Sequence, residues 1–212
     1  MDSGSGAVAV AMEFVVRAGG VAGRLGVLAG SFHPVTRAHM ALAEAALAHV
    51  DEVLLVMPRE FPHKKYEEVG LAERLEIVEA ALKGRSGLSL AVSEGGLFLE
   101  IARECRAAYE ELEEIWFVCG RDAAERISGW DYEGETGFER QLEEFGLLVA
   151  DRQGSFEDLG KGVRRLGVEG DWDQLSATEV RRRIRGGEPW LELVPERTGE
   201  LIERYYGGQR RA

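Results

Sequence analysis

The stretch 26–47, GVLAGSFHPVTRAHMALAEAAL, decides the fold. Its start continues the apolar run 25–29 (LGVLA), which reads as a buried strand. Gly30 and Ser31 break that run, a short loop follows with Pro34 and two histidines, and residues 38–49 read as an Ala-rich amphipathic helix. A strand that turns directly into a helix puts the helix's first N–H groups at the strand's carboxyl end. Those groups lack intrahelical partners and carry partial positive charge, which suits phosphate. Gly30 lets a phosphate approach the backbone, Pro34 stiffens the loop and Thr36 caps the helix. His39 follows three residues after Thr36, so both can face one ligand. The stretch contains neither G-x-x-x-x-G-K-[ST] nor G-x-G-x-x-G.

Outward from this point, strands and helices alternate. Residues 52–57 (EVLLVM), 88–92 (LSLAV), 115–119 (IWFVC) and 146–150 (GLLVA) read as strands. Residues 71–82 carry Leu71, Leu75, Val78 and Leu82 on one helical face, and 97–110 and 137–145 read as further helices. From about Ser176 the chain reads as helix, loop, helix. The alternation predicts an α/β chain with a doubly wound parallel sheet and a small C-terminal helical extension, residues 25–212 forming one domain. Residues 1–24 are expected to be a flexible lead-in, since their apolar stretch lacks the preceding basic residues of a secretory leader. The segments 63–70 and 129–137 are expected to be mobile loops.

The totals narrow the class. The chain has 212 residues, 45% hydrophobic and 30% charged, with a formal net charge of −12. That charge repels phosphate backbones at long range and argues against a nucleic-acid partner, while leaving room for a local basic site. No apolar run reaches the roughly 18 residues that span a bilayer. Cys105 and Cys119 lack metal-ligand spacing, and Cys119 lies in an apolar run. The cytoplasm is the expected compartment.

The opening loop, Gly30-Ser31-Phe32-His33-Pro34-Val35-Thr36-Arg37-Ala38-His39, resembles the signature of the nucleotidylyltransferase superfamily. His33 stands where that signature usually has Asp or Asn, and Ala38 where Gly is common. A second segment, LSATEVRRRIRGG at 175–187, resembles the superfamily's other signature, with Ser176, Thr178 and Arg181 on the matching positions. Between them, the Pro-His-Lys of MPREFPHKK (His63, Lys64) and the Gly-x-Asp and Trp of CGRDAAERISGW (Gly120, Asp122, Trp130) resemble nicotinate- and nicotinamide-mononucleotide adenylyltransferases. The Leu-Val-Pro and closing helix of WLELVPERTGELIERYY do so too, and the likeness spans about residues 25–206. Those enzymes often carry a Thr/Tyr-rich turn before the third helix, where this chain has EGGLFLEIARE.

The resemblance implies a Rossmann-like fold and transfer of AMP from ATP to a pyridine mononucleotide, with release of pyrophosphate. It implies that Gly30, Ser31, Phe32, His33, His39, Gly120, Asp122, Ser176, Thr178 and Arg181 bind ATP. Ser31, His63, Lys64, Phe98 and Trp130 would meet the acceptor, and His39, Thr36, Lys64 and Arg181 would carry the chemistry. Mg²⁺ would enter on the ATP phosphates. Two alternatives remain at this level. One is transfer to another phosphorylated acceptor such as phosphopantetheine, or by a cytidylyltransferase. The other is a catalytically weak nucleotide-binding homologue.

Overall fold

A computed structural model describes residues 12–20, 22–60, 69–120, 124, 137–150, 162–170, 172 and 175–209. The chain runs β1 (Glu13–Val16), β2 (Arg24–Ala29), α1 (Arg37–Ala46), β3 (Glu52–Pro58), α2 (Leu71–Leu82), β4 (Leu88–Ser93) and α3 (Phe98–Ala108). It continues through β5 (Glu114–Gly120), α4 (Phe138–Gln141), β6 (Gly146–Ala150), β7 (Val163–Leu166), α5 (Ala177–Gly186) and α6 (Gly199–Tyr206). Short 3₁₀ turns at Leu191–Leu193 and Glu196–Thr198 join the last two helices.

The strands form one sheet in the order β1-β4-β3-β2-β5-β6-β7. All neighbours pair in parallel except β1, which runs antiparallel to β4. The chain builds outward from β2 through β3 to β4, then crosses back to β5 and builds the other way. The switch point therefore lies between β2 and β5, and a ligand crevice is expected outside their carboxyl ends.

Strand residues alternate between two cores, as a doubly covered sheet requires. On β3, Val53, Leu55 and Met57 face a core shared with α1, α2, α5 and α6, while Leu54 and Val56 face a core shared with α3. On β5, Trp116 and Val118 join the first core, and Ile115, Phe117 and Cys119 the second. Gly146 is required by this packing: a Cβ there would lie 2.4 Å from the Trp116 ring. Trp190 and Tyr206 seat the C-terminal segment on the first core.

Two strands escape the sequence reading. Part of the expected lead-in is β1, whose Phe14 packs edge-on against Tyr109 at 5.8 Å, so residues 13–16 are an edge strand and not a loose leader. β7 (VRRL) is too short and too charged to show strand periodicity. The helix expected over 137–145 is shorter, at Phe138–Gln141. Nearly all of the expected loops 63–70 and 129–137 lies outside the described residues.

Candidate active site

The loop 30–36 leaves β2 at its carboxyl end and enters α1. Gly30 still belongs to the sheet, its N–H donating to the Val56 carbonyl at 3.0 Å. Phe32 then adopts a φ of +41°, a left-handed conformation that costs a bulky side chain energy and persists only where the surroundings hold it. Its ring is buried and meets the His39 ring edge-on, with centroids 5.3 Å apart.

His39 is fixed by its own helix cap. The Thr36 backbone N–H donates to His39 Nδ1 at 3.0 Å, and Thr36 Oγ1 lies 2.8 Å from the same nitrogen. A backbone N–H can only donate, so Nδ1 is unprotonated and Nε2 carries the hydrogen. Burial pushes the imidazole down to about 4, so the ring is a neutral Nε2–H donor at neutral pH. The cap has no acidic residue in its first turn.

Helix α5 supplies the other side. Ser176 is its N-cap, accepting from the Glu179 N–H at 3.1 Å, and Gly187 closes it in the left-handed conformation at φ +66°. Three consecutive arginines follow, with different fates. Arg182 binds Glu179 and Glu188, and Arg183 binds Glu179 and Glu192. Those hydrogen bonds, from Arg182 first and then Arg183, hold the Glu179 carboxyl down at about 2. Arg181 pairs with no carboxylate among the described residues. It donates to the His33 carbonyl, and to Thr178 Oγ1 at 3.2 Å. The two signatures, far apart in the chain, thus meet in space through Arg181 and His33.

Several expected contacts take a different form. Thr36 has no exposed surface, so its hydroxyl serves His39 and not a ligand. Phe32 likewise is buried behind His39. The His33 ring is buried edge-on against Tyr206 at 5.2 Å, and its backbone carbonyl, not its imidazole, faces Arg181. Phe98 is partly buried and stacks on Phe117 with centroids 4.0 Å apart, packed against the second core, which explains why the third helix opens with an aromatic residue. Ser31, Ser176, Thr178 and His39 retain exposed surface, and a side chain at Gly120 would meet open space. His63, Lys64, Asp122 and Trp130 lie outside the described residues. The sequence reading missed Arg74. This arginine of α2 is 4% exposed and donates through Nη1 to the Ser31 carbonyl at 2.7 Å. Its only signal was a charged residue among the buried positions of an amphipathic helix.

Among the described residues no cluster of three or more His, Cys, Asp or Glu could hold a metal ion, and no helix is long and apolar enough to cross a membrane. A neutral histidine donor, a guanidinium that meets no carboxylate among the described residues and two helix N-termini converge at the switch point, a set suited to a polyphosphate.

The cytidylyltransferase-like family model matches residues 27–183, from β2 into α5, and so includes both signatures. A probable nicotinate-nucleotide adenylyltransferase of Citrifermentans bemidjiense is 34% identical, over 88% of this chain and 97% of its own. The chain belongs to the nicotinate-nucleotide adenylyltransferase family. A second member, from Exiguobacterium sibiricum, is 28% identical over 86% of this chain and 97% of its own. Among solved structures, the Plasmodium falciparum nicotinic acid mononucleotide adenylyltransferase complexed with NaAD superposes with a TM-score of 0.68 at 17% identity, covering 86% of this chain and 95% of that one. That likeness establishes the shared Rossmann-like fold.

Proposed function

We propose that the protein transfers AMP from ATP to nicotinate or nicotinamide mononucleotide and releases pyrophosphate. An oxygen of the acceptor phosphate forms a bond to the ATP α-phosphorus while the bond to the bridging oxygen of the leaving pyrophosphate breaks. The phosphate oxygen is already a competent nucleophile, so the protein's task is positioning and offsetting charge.

In this reading His39 Nε2–H donates to a triphosphate oxygen. Thr36 and Phe32 act through His39 by fixing its tautomer and its ring. Arg181, with Ser176 and Thr178 at the start of α5, holds the β- and γ-phosphates and the departing pyrophosphate. Gly30 and Ser31 bring the backbone close to the phosphates, and Gly120 leaves room for the nucleoside at the end of β5. Asp122 is assigned to the adenosine ribose, His63 and Lys64 to the transferring phosphate, and Trp130 to the acceptor ring. Mg²⁺ would be held mainly by phosphate oxygens and water.

The observation that carries the reading is the contrast between Arg181 and its neighbours. Two arginines are neutralised by glutamates, and the third, on the matching signature position, is held among the described residues by neutral oxygens beside the His39 loop. A guanidinium so placed retains its charge for an anionic ligand. The test is pyrophosphate release from Mg²⁺–ATP with nicotinate mononucleotide, nicotinamide mononucleotide and phosphopantetheine in parallel. Release with a pyridine mononucleotide is expected. Release with phosphopantetheine alone, or with none of the three, would overturn the assignment.

A further inference from the structure

Among the described residues, Arg74 is a buried cation that reaches into the phosphate loop from outside the two signatures. Its Nε donates to the Gly70 carbonyl at 3.1 Å, at the start of its own helix, and its Nη1 donates to the Ser31 carbonyl, 43 residues away. Burying a guanidinium is costly, and pinning a helix start needs no charge, since a neutral side chain or the backbone can do it. The loop it grips is the strained one. Ser31 precedes Phe32 at φ +41°, and Phe32 abuts the His39 ring. Arg181 grips the next carbonyl but one, that of His33. The left-handed residue is therefore held on both sides by arginines from different helices. The Ser31 carbonyl shares a peptide plane with the Phe32 N–H, so a cation on the oxygen also strengthens that N–H as a donor.

We propose that Arg74 is a positioning residue for nucleotidyl transfer: it locks the Ser31–Phe32 turn, and through Phe32 the His39 ring, in the arrangement that receives the triphosphate. The proposal rests on the phosphate-binding reading of that loop. Arg74 also ties the loop to the start of α2, the helix that follows the His63–Lys64 segment in the chain.

The test uses R74M and R74K in the full chain, with two readouts. The first is kinetic. In R74M, kcat should fall by about 30-fold, the scale of a small misplacement of catalytic groups, with little change in KM for the acceptor. R74K keeps the charge but lacks the planar fork that presents Nε and Nη1 to separate carbonyls, and should recover about threefold of that loss. The second readout needs no turnover. It is the NMR titration of the His39 imidazole in the nucleotide-free protein, which should move from about 4 toward its ordinary value as the turn relaxes. A double-mutant cycle with F32G completes it. Glycine removes the strain that Arg74 opposes, so the effect of R74K should shrink in the F32G background. An unchanged His39 titration in R74K, or full additivity with F32G, overturns the proposal even if kcat falls. Should R74M fail to fold, R74K and the cycle still decide. If the parent releases no pyrophosphate, the functional reading fails, whereas the titration still reports whether Arg74 positions His39.

Discussion

Helices α1 and α3 both begin where a parallel strand of the sheet ends, and each presents a first turn of N–H groups. At α3 the N–H groups of the turn leading into the helix are taken by carboxylates of the helix itself. Glu104 accepts from the N–H groups of Glu94 and Gly95, and Glu100 from those of Gly96 and Leu97, at 2.7–3.2 Å. At α1 the cap is a neutral pair, Thr36 and His39, with an arginine and no acid in the first turn. The approach to one helix is covered by the chain's own carboxylates, whereas the start of the other is capped by neutral groups only. A tethered carboxylate is present at high effective concentration, and an external phosphate competes with it poorly. A helix N-terminus is thus a phosphate site only where the side chains around it decline to fill it.

The largest effect should come from breaking the open cap. H39A is expected to lower kcat by at least about 100-fold, the scale for removing one donor to developing charge, with a Tm within a few degrees of the parent. Steady-state kinetics beside a thermal melt check it, and activity within twofold of the parent would remove His39 from the mechanism. Converting α1 into a copy of α3 should come next. A38E places a carboxylate in the first turn and is expected to raise KM for ATP by about tenfold, more at low than at high salt. The reverse change, E100Q with E104Q, replaces the charged acceptors at α3. It should lower stability by about 1–2 kcal/mol in urea unfolding and leave KM for ATP within twofold. An ATP effect there would mean that the two termini are not separate.

The smallest effect is on pH dependence. The folded His39 titrates at about 4 against 6.5 when unfolded. Between these values the unfolded chain binds the proton and the folded chain does not. The stability this residue contributes is therefore complete above about 6.5 and is lost as pH falls toward 4. H39Q lacks the titration, so the stability difference between parent and H39Q should narrow between pH 7 and 4.5. A constant difference across that range would show that the ring is not held neutral.

Much of the site was legible because it is local. Cap residues, a glycine break and a histidine one turn later all act within ten positions, and Ser176, Thr178 and Arg181 fall on the cap and first turn and a half of α5. The central strands were legible for a related reason. Burial on both faces makes β3, β5 and β6 continuous apolar runs. The edge strands β1 and β7 were not, because exposure on one side removes that signal.

The sequence alone determined that a strand-to-helix turn carries Thr36 and His39, that Ser176 opens a second helix bearing Arg181, and that the sheet is largely parallel and doubly wound. It could not tell which of these polar groups face a ligand. Tertiary packing buried Thr36, Phe32 and the His33 ring, stacked Phe98 against the second core and sorted three adjacent arginines into two paired with glutamates and one that, among the described residues, meets no carboxylate. It also brought Arg74 onto the Ser31 carbonyl. The reason is physical. Propensity and capping are decided by neighbours in the chain, whereas burial and ion pairing are decided by neighbours in space.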